Sequence, residues 1–156
     1  MKFVSSVLGL LLISSQACGY YNGPRSSYYD LKRDAQQHGA WAVHTIIDLK
    51  KCCPQVVRST WDLERCINEM CYNLGVRRIG LATKVYHEAG YGYTSGYTVA
   101  QQASNHTDIV IRVDERTNNV FIDVCSAKLY DAYALLDYLD EYFGAYDATI
   151  DILFRK

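Results

Sequence analysis

Apolar residues change their spacing several times along the chain, and each change marks an expected element. Residues 40–49 (AWAVHTIIDL) are apolar and rich in β-branched side chains, which predicts a strand. The next segment has helical spacing, begins after a possible N-cap at Ser59 or Thr60, and ends at Gly75. The apolar positions of this predicted helix are Leu63, Cys66, Ile67, Met70 and Leu74.

The rest of the chain continues the same alternation of strands and helices. The further predicted elements are a strand over 76–87, a Gly- and Tyr-rich loop over 88–98, a hairpin of strands 108–113 and 120–125, an amphipathic helix over 128–143 that ends at Gly144, and a strand over 148–154. The order β-α-β-β-β-α-β predicts an α+β fold, in which two helices cover one face of an antiparallel sheet as in ferredoxin-like sandwiches. The long loop is the expected ligand-binding segment.

The first 38 residues differ from this pattern. A positive start, an apolar run over 3–13 and small residues over 14–19 predict a secretory signal peptide over 1–19. The run is too short to span a bilayer, which needs about 20 apolar residues. A lipoprotein site at Cys18 and an unprocessed N-terminus are the alternatives. We expect a flexible, tyrosine-rich arm over 20–38 that docks on a neighbour, then a single α+β catalytic domain over 39–156.

Composition narrows the function classes. The 16 basic and 17 acidic side chains give a net charge of −1 without a basic stripe, so we expect no nucleic-acid partner, and no membrane contact once the signal is removed. Five cysteines remain besides Cys18, and their spacing matches neither a disulfide framework nor a CxxC zinc site. We therefore expect buried free thiols and no metal. These cysteines are Cys52, Cys53, Cys66, Cys71 and Cys125.

Several short motifs occur in a fixed order over residues 39–156. They are His44-x3-Asp48-x3-Cys52 on the first strand, Gly96-Tyr97-Thr98, Ser104-Asn105-His106, and Cys125 after the hairpin. In this order the motifs resemble the bacterial S-adenosylmethionine decarboxylase proenzyme family, which has a His-x3-Asp-x3-Cys strand, a Gly-x-Thr element, a Glu-Ser-His cleavage site and a later Cys. The resemblance implies a decarboxylase-like sandwich.

One departure from the family changes the expected chemistry. Family members cut themselves before the serine of Glu-Ser-His, and that serine becomes a pyruvoyl group that acts as an electron sink. Asn105 stands at this position and cannot form a pyruvoyl group by the serine route. Ser104 stands one position before Asn105. In a strand, a shift of one residue places the side chain on the opposite face of the sheet. Decarboxylation after maturation at Ser104 is therefore a lesser alternative.

The chain also resembles a second family, whose members lack the pyruvoyl group. Phage-encoded S-adenosylmethionine lyases, formerly called hydrolases, have a similar fold, use no cofactor, and form trimers with the nucleoside site between subunits. Their catalytic carboxylate lies on the first helix, which corresponds to Glu69 here. The resemblance implies a homotrimer that converts S-adenosylmethionine to methylthioadenosine and homoserine lactone. A solvated surface carboxylate is the alternative interpretation of Glu69.

Glu69 is the candidate catalytic residue, and the candidate substrate-binding residues are Tyr91, Tyr93, Tyr97, Thr98, Ser104 and His106. The tyrosines offer rings for adenine stacking or for cation–π contact with the sulfonium, or they belong to a surface loop. Hydrolysis by a Glu69-activated water and a non-catalytic module that binds a nucleotide-like ligand are the other functional alternatives. Export conflicts with a cytosolic substrate, so the localisation stays open.

Overall fold

One antiparallel sheet organises the part of the chain that the computed structural model describes, namely residues 18–21, 27–80, 84–88 and 97–156. Seven strands lie in these ranges in the order β1-β7-β2-β6-β5-β4-β3. The strands are β1 (Cys18–Tyr21), β2 (Ala42–Lys50), β3 (Lys84–Glu88), β4 (Tyr97–Ala103), β5 (Thr107–Asp114), β6 (Asn119–Ser126) and β7 (Asp147–Arg155). The helices of these ranges are α1 (Tyr28–Gln37), α2 (Pro54–Val57), α3 (Thr60–Asn73) and α4 (Ala132–Phe143).

The two central strands bury one face and leave the other open to solvent. In β2, side chains alternate between buried and half-buried, and the buried positions are Val43, Thr45, Ile47 and Leu49. The cross-strand partners of the last three in β6 are Val124, Ile122 and Val120, which are also buried. Helices α1, α3 and α4 contribute to the same buried cluster. The predicted α+β sandwich with helices on one sheet face is therefore confirmed.

Capping residues account for the bounds of the two main helices. Ser59 accepts a hydrogen bond from the Asp62 N–H at 3.1 Å and begins α3, and Gly75 follows its end at φ +60°. All five apolar positions predicted for α3 are buried. Helix α4 begins later than predicted, because the Asp131 carboxylate accepts from the Tyr133 and Ala134 N–H groups. Gly144 ends α4 in the left-handed region at φ +57°.

Helix α1 corrects the expectation of a flexible arm over 20–38. Ser27 and Asp30 form a reciprocal capping box at its start. Leu31 and Ala35, one turn apart, are both 1% exposed and belong to the core. The helix is otherwise polar, so its narrow apolar stripe gave little periodic signal in the sequence.

The structure also corrects the bounds of the predicted loop over 88–98. Glu88 ends β3, and Tyr97 and Thr98 begin β4, a strand that the sequence did not predict. Its buried face carries Thr98 and Gln102, and this hid the apolar alternation. Gln102 is satisfied there, since its amide donates to the Ile79 and Ala103 carbonyls at 3.0 and 2.6 Å.

Some expectations fall outside the described residues. These are residues 1–17 of the predicted signal peptide, Gly96, Tyr91 and Tyr93. The remaining signal residues, Cys18 and Gly19, lie in β1, where they pair with Arg155 and Phe154 of β7. In the part that the structure describes, every helix is too short or too polar to cross a membrane.

The packing of α1 leads to a stability prediction. Replacing Leu31 by Ala removes a buried side chain and leaves a cavity, so we expect the free energy of unfolding to fall by about 2–4 kcal/mol. The control is Tyr29→Ala on the same helix, because Tyr29 is 79% exposed; we expect a change within about 0.5 kcal/mol. Urea denaturation measures both. Equal, small effects would contradict the packing of α1 on the sheet.

Candidate functional site

One end of the open sheet face gathers three of the motifs singled out in the sequence. His44 of β2 and Cys125 of β6 are direct cross-strand partners. Cys125 is also the partner of Asp108 in β5, just beyond the turn that holds Ser104, Asn105 and His106. Both side chains of the His44–Cys125 pair are half-buried. The sheet register therefore brings together residues that are up to 81 positions apart, from His44 to Cys125.

Charged neighbours hold the imidazole of His44. The Arg155 guanidinium donates to Nδ1 at 2.8 Å, and Nε2 lies 3.3 Å from Asp123 Oδ1. Since a guanidinium cannot accept a hydrogen bond, Nδ1 is the acceptor, and the Nε2 proton faces Asp123. Asp123 is also ion-paired with Arg112. This network fixes both the orientation and the tautomer of His44.

The other residues of the His-x3-Asp-x3-Cys motif do not join this cluster. Asp48 lies further along the open face, between Phe121 and Thr149. Cys52 follows the end of β2 and is 3% exposed in the core. Burial raises the pKa of the Cys52 thiol to about 11, so it stays protonated at neutral pH.

The turn over 104–106 is held by its own hydrogen bonds. Ser104 Oγ donates to the Thr107 carbonyl at 2.7 Å and accepts from the Thr107 N–H at 2.9 Å. The side-chain oxygen of Asn105 accepts a hydrogen bond from the Arg77 N–H, and the backbone N–H of Asn105 donates to the Arg77 carbonyl, each at 3.0 Å. His106 is exposed, and its carbonyl accepts from Ala127. Ser104 and Asn105 thus have structural roles in this turn.

Thr98 lies far from this turn. It lies near the start of β4, and the five residues between it and Ser104 put about 20 Å of extended strand between the two. Thr98 is 2% exposed on the helix-covered side of the sheet, and its hydroxyl donates to Glu115 at 3.0 Å. Thr98 and Ser104 are therefore too far apart to contact the same small part of a ligand.

Glu69 lies on the other side of the sheet, in the helix layer. Its Oε2 accepts a hydrogen bond from the Tyr138 hydroxyl of α4 at 2.7 Å, and its side chain is 46% exposed. Its Oε1 is 3.9 Å from Arg65 Nε, but Arg65 is held by Asp62 at 3.1 Å and by Tyr142 at 2.9 Å. Glu69 therefore keeps a carboxylate oxygen that no close hydrogen bond within the described residues satisfies.

Tyr138 is a residue that the sequence analysis missed. Burial, then the nearby Cys66 and Glu69, raises the pKa of the Tyr138 hydroxyl far above neutrality. The hydroxyl therefore stays protonated throughout the physiological pH range, and it donates a hydrogen bond to Glu69. Nothing in the sequence links these two positions, because they are 69 residues apart.

A cavity of about 290 Å³ opens beside this pair, between α3 and α4. Tyr138 forms part of its wall. The other lining residues are Asn73, Leu74, Tyr130, Asp131, Ala134 and Leu135. Across the described ranges, no group of three or more His, Cys, Asp or Glu side chains is arranged to hold a metal ion.

Comparison with known proteins assigns the chain to a family. A family model described as S-adenosylmethionine decarboxylase matches residues 43–156, from β2 through β7, and the chain belongs to this family. The crystal structure of the adenosylmethionine decarboxylase from Aquifex aeolicus VF5 is similar, with a TM-score of 0.55 and 16% identity over 74% of this chain and 91% of that one. This likeness confirms the decarboxylase-like fold. No curated protein matches the chain significantly.

The geometry of the turn predicts that the chain does not cut itself there. Ser104 Oγ is engaged with the Thr107 backbone, and position 105 has no hydroxyl. We therefore expect one uncleaved polypeptide across positions 103–106 when the purified protein is denatured and weighed by mass spectrometry. A fragment that begins at position 104 with a pyruvoyl mass would contradict this prediction and would favour a decarboxylase.

Proposed function

We propose that this protein cleaves S-adenosylmethionine to methylthioadenosine and homoserine lactone without a prosthetic group. The observation that carries the proposal is the role of Asn105. The chain belongs to the S-adenosylmethionine decarboxylase family, and the position that resembles the pyruvoyl-forming serine holds an asparagine. The side chain and the backbone N–H of this asparagine each form a hydrogen bond with the Arg77 backbone. A reaction that needs no built-in electrophile fits this replacement.

The proposed reaction needs only the substrate's own groups. A carboxylate oxygen of the methionine part attacks the γ-carbon and forms the C–O bond of a five-membered lactone. The bond from the γ-carbon to sulfur breaks, and its electron pair stays on sulfur, which turns the sulfonium into a neutral thioether. No proton has to move in this step. The protein's contribution is to fold the chain into an attack geometry and to exclude water.

Glu69 is the group that we propose anchors the substrate. A carboxylate that binds the substrate ammonium fixes one end of the amino-acid chain and leaves the substrate carboxylate able to turn towards the γ-carbon. The Glu69 side chain is 46% exposed, and its Oε1 has only a long ion pair to Arg65 Nε at 3.9 Å, which supports this role. Hydrolysis is the variant in which the same carboxylate activates a water molecule.

The assembly is a further part of the proposal. We propose a homotrimer in which a tyrosine-rich loop of the next subunit covers the adenosine part, with Tyr91, Tyr93 and Tyr97 as candidate stacking residues. The half-exposed position of Glu69 supports a site that faces outward from its own chain. Light scattering coupled to size-exclusion chromatography tests the trimer, and a monomer at micromolar concentration would contradict it.

The anchoring role leads to a prediction on activity. Glu69→Gln removes the negative charge while keeping the size, so we expect kcat/KM for S-adenosylmethionine to fall at least about 100-fold, as for loss of a desolvated charge pair. Separation of the products by liquid chromatography measures methylthioadenosine formation. Glu64→Gln, the same change on the same helix, is the matched control and is expected to keep wild-type activity. Full activity of Glu69→Gln would remove Glu69 from the mechanism.

The wild-type protein is expected to form methylthioadenosine and homoserine lactone from S-adenosylmethionine, and the variants are compared with this activity. Release of carbon dioxide in place of lactone would favour decarboxylation. Measurable binding of S-adenosylmethionine with no turnover would favour a binding module of the same fold.

A further inference from the structure

Arg65 precedes Glu69 by four residues on α3, so the two side chains are neighbours on one face of the helix. An arginine and a glutamate at this spacing are able to form a close ion pair. The pair is long here, because Arg65 Nε lies 3.9 Å from Glu69 Oε1. The other contacts of the guanidinium explain this distance.

Asp62 and Tyr142 engage the hydrogen-bond donors of Arg65. The Nη2 nitrogen of the guanidinium forms an ion pair with Asp62 Oδ1 at 3.1 Å. The Nε–H group donates to the Tyr142 hydroxyl at 2.9 Å. This hydroxyl donates in turn to the Asp62 backbone carbonyl at 2.9 Å, so its lone pairs are left for Arg65. The Nε–H group of the long pair with Glu69 is therefore already used.

Two aromatic rings lie against the same guanidinium. The central carbon of the Arg65 guanidinium is 4.7 Å from the centre of the Trp61 ring and 5.3 Å from the centre of the Tyr142 ring. Both distances are within the range of cation–π attraction. Trp61 is 64% exposed, so its ring is a surface support for the arginine and not a part of the core.

The position of Asp62 on α3 favours its pair with Arg65 over the pair with Glu69. An acidic residue that precedes a basic residue on a helix is better aligned with the helix dipole than one that follows it. Asp62 lies in the first turn, three residues before Arg65, whereas Glu69 follows Arg65. The Asp62 side chain is 21% exposed, against 46% for Glu69, so solvent screens its charge less.

We propose that Trp61, Asp62 and Tyr142 form a clamp that holds Arg65 away from Glu69 and so keeps the Glu69 carboxylate available to the ammonium of the substrate. The inference rests on the proposed function and adds what protects the anchoring group from a competing cation of the same chain. Asp62 is a positioning residue, because it acts on the substrate only through Arg65. A released Arg65 has to move by only about 1 Å to form a charge-assisted hydrogen bond with Glu69.

Asp62→Asn removes the charge that holds Arg65 and keeps the size of the side chain. We expect KM for S-adenosylmethionine to rise about fivefold, with kcat within about twofold of wild type, because the released arginine competes with the substrate for Glu69. Thermal unfolding checks that the variant keeps the wild-type Tm within a few degrees. An unchanged KM in an active enzyme would overturn the clamp and leave the proposed function intact.

Asp30→Asn is the matched control for this substitution. Asp30 forms an ion pair with Arg33 at 3.1 Å over the same spacing of three residues. Like Asp62, Asp30 lies in the first turn of a helix that begins after a serine cap. We expect Asp30→Asn to leave both KM and kcat within about twofold of wild type, since α1 carries no part of the proposed site. An equal rise of KM in Asp30→Asn would overturn the specific role of Asp62.

Removal of the arginine separates competition from loss of structure. In the Asp62→Asn background, Arg65→Gln is expected to return KM to within about twofold of wild type, because the competing cation is gone. In the wild-type background, the same change is expected to leave KM within about twofold. If Asp62 had only a structural role, the double variant would bind substrate no better than Asp62→Asn, and this result would overturn the inference.

Crystal structures without substrate test the clamp apart from any activity. In Asp62→Asn we expect a nitrogen of Arg65 within about 3.2 Å of Glu69 Oε1, as in a normal hydrogen bond. An Arg65 that stays at the wild-type distance from Glu69 would overturn the clamp. A wild-type protein that neither binds nor cleaves S-adenosylmethionine would overturn the proposed function and, with it, the role given to the clamp.

Discussion

The antiparallel register between β2 and β6 determines which residues of this molecule can meet. It pairs the buried positions of both strands on the side that the helices cover, and it pairs His44 with Cys125 on the open side. A slip of one residue would move His44 into the core and expose Ile47, because side chains alternate with a period of two. The apolar face of the helices therefore fixes the arrangement of the polar face of the sheet.

Because of this register, the candidate functional residues lie on two opposite sides of the sheet. The family motifs His44, Cys125 and the 104–106 turn meet at one end of the open face, whereas Glu69 lies in the helix layer beside the α3–α4 cavity. Position 105 of this turn holds an asparagine, whose side chain accepts a hydrogen bond from the Arg77 N–H. The helix layer offers an exposed carboxylate, a protonated tyrosine and an apolar cavity.

Much of the fold was predictable, because it depends on local pattern. Spacing and capping chemistry predict the helix over 60–73, its cap at Ser59, and four of its buried residues, namely Leu63, Cys66, Ile67 and Met70. Helix α1 and strand β4 were missed because their buried faces carry few apolar residues or, in β4, Thr98 and Gln102. The site was less predictable, since its contacts span long distances in sequence: 69 residues from Glu69 to Tyr138, and 111 from His44 to Arg155. Only the tertiary structure brings these groups together.

Isotope labelling distinguishes cleavage of S-adenosylmethionine by its own carboxylate from cleavage by water. The protein is incubated with S-adenosylmethionine in ¹⁸O-labelled water, and the amino-acid product is analysed by mass spectrometry. Intramolecular attack predicts homoserine lactone without label, and homoserine formed by later opening of the lactone keeps an unlabelled γ-oxygen. Label in the γ-hydroxyl group would show that water attacked the γ-carbon and would contradict intramolecular attack.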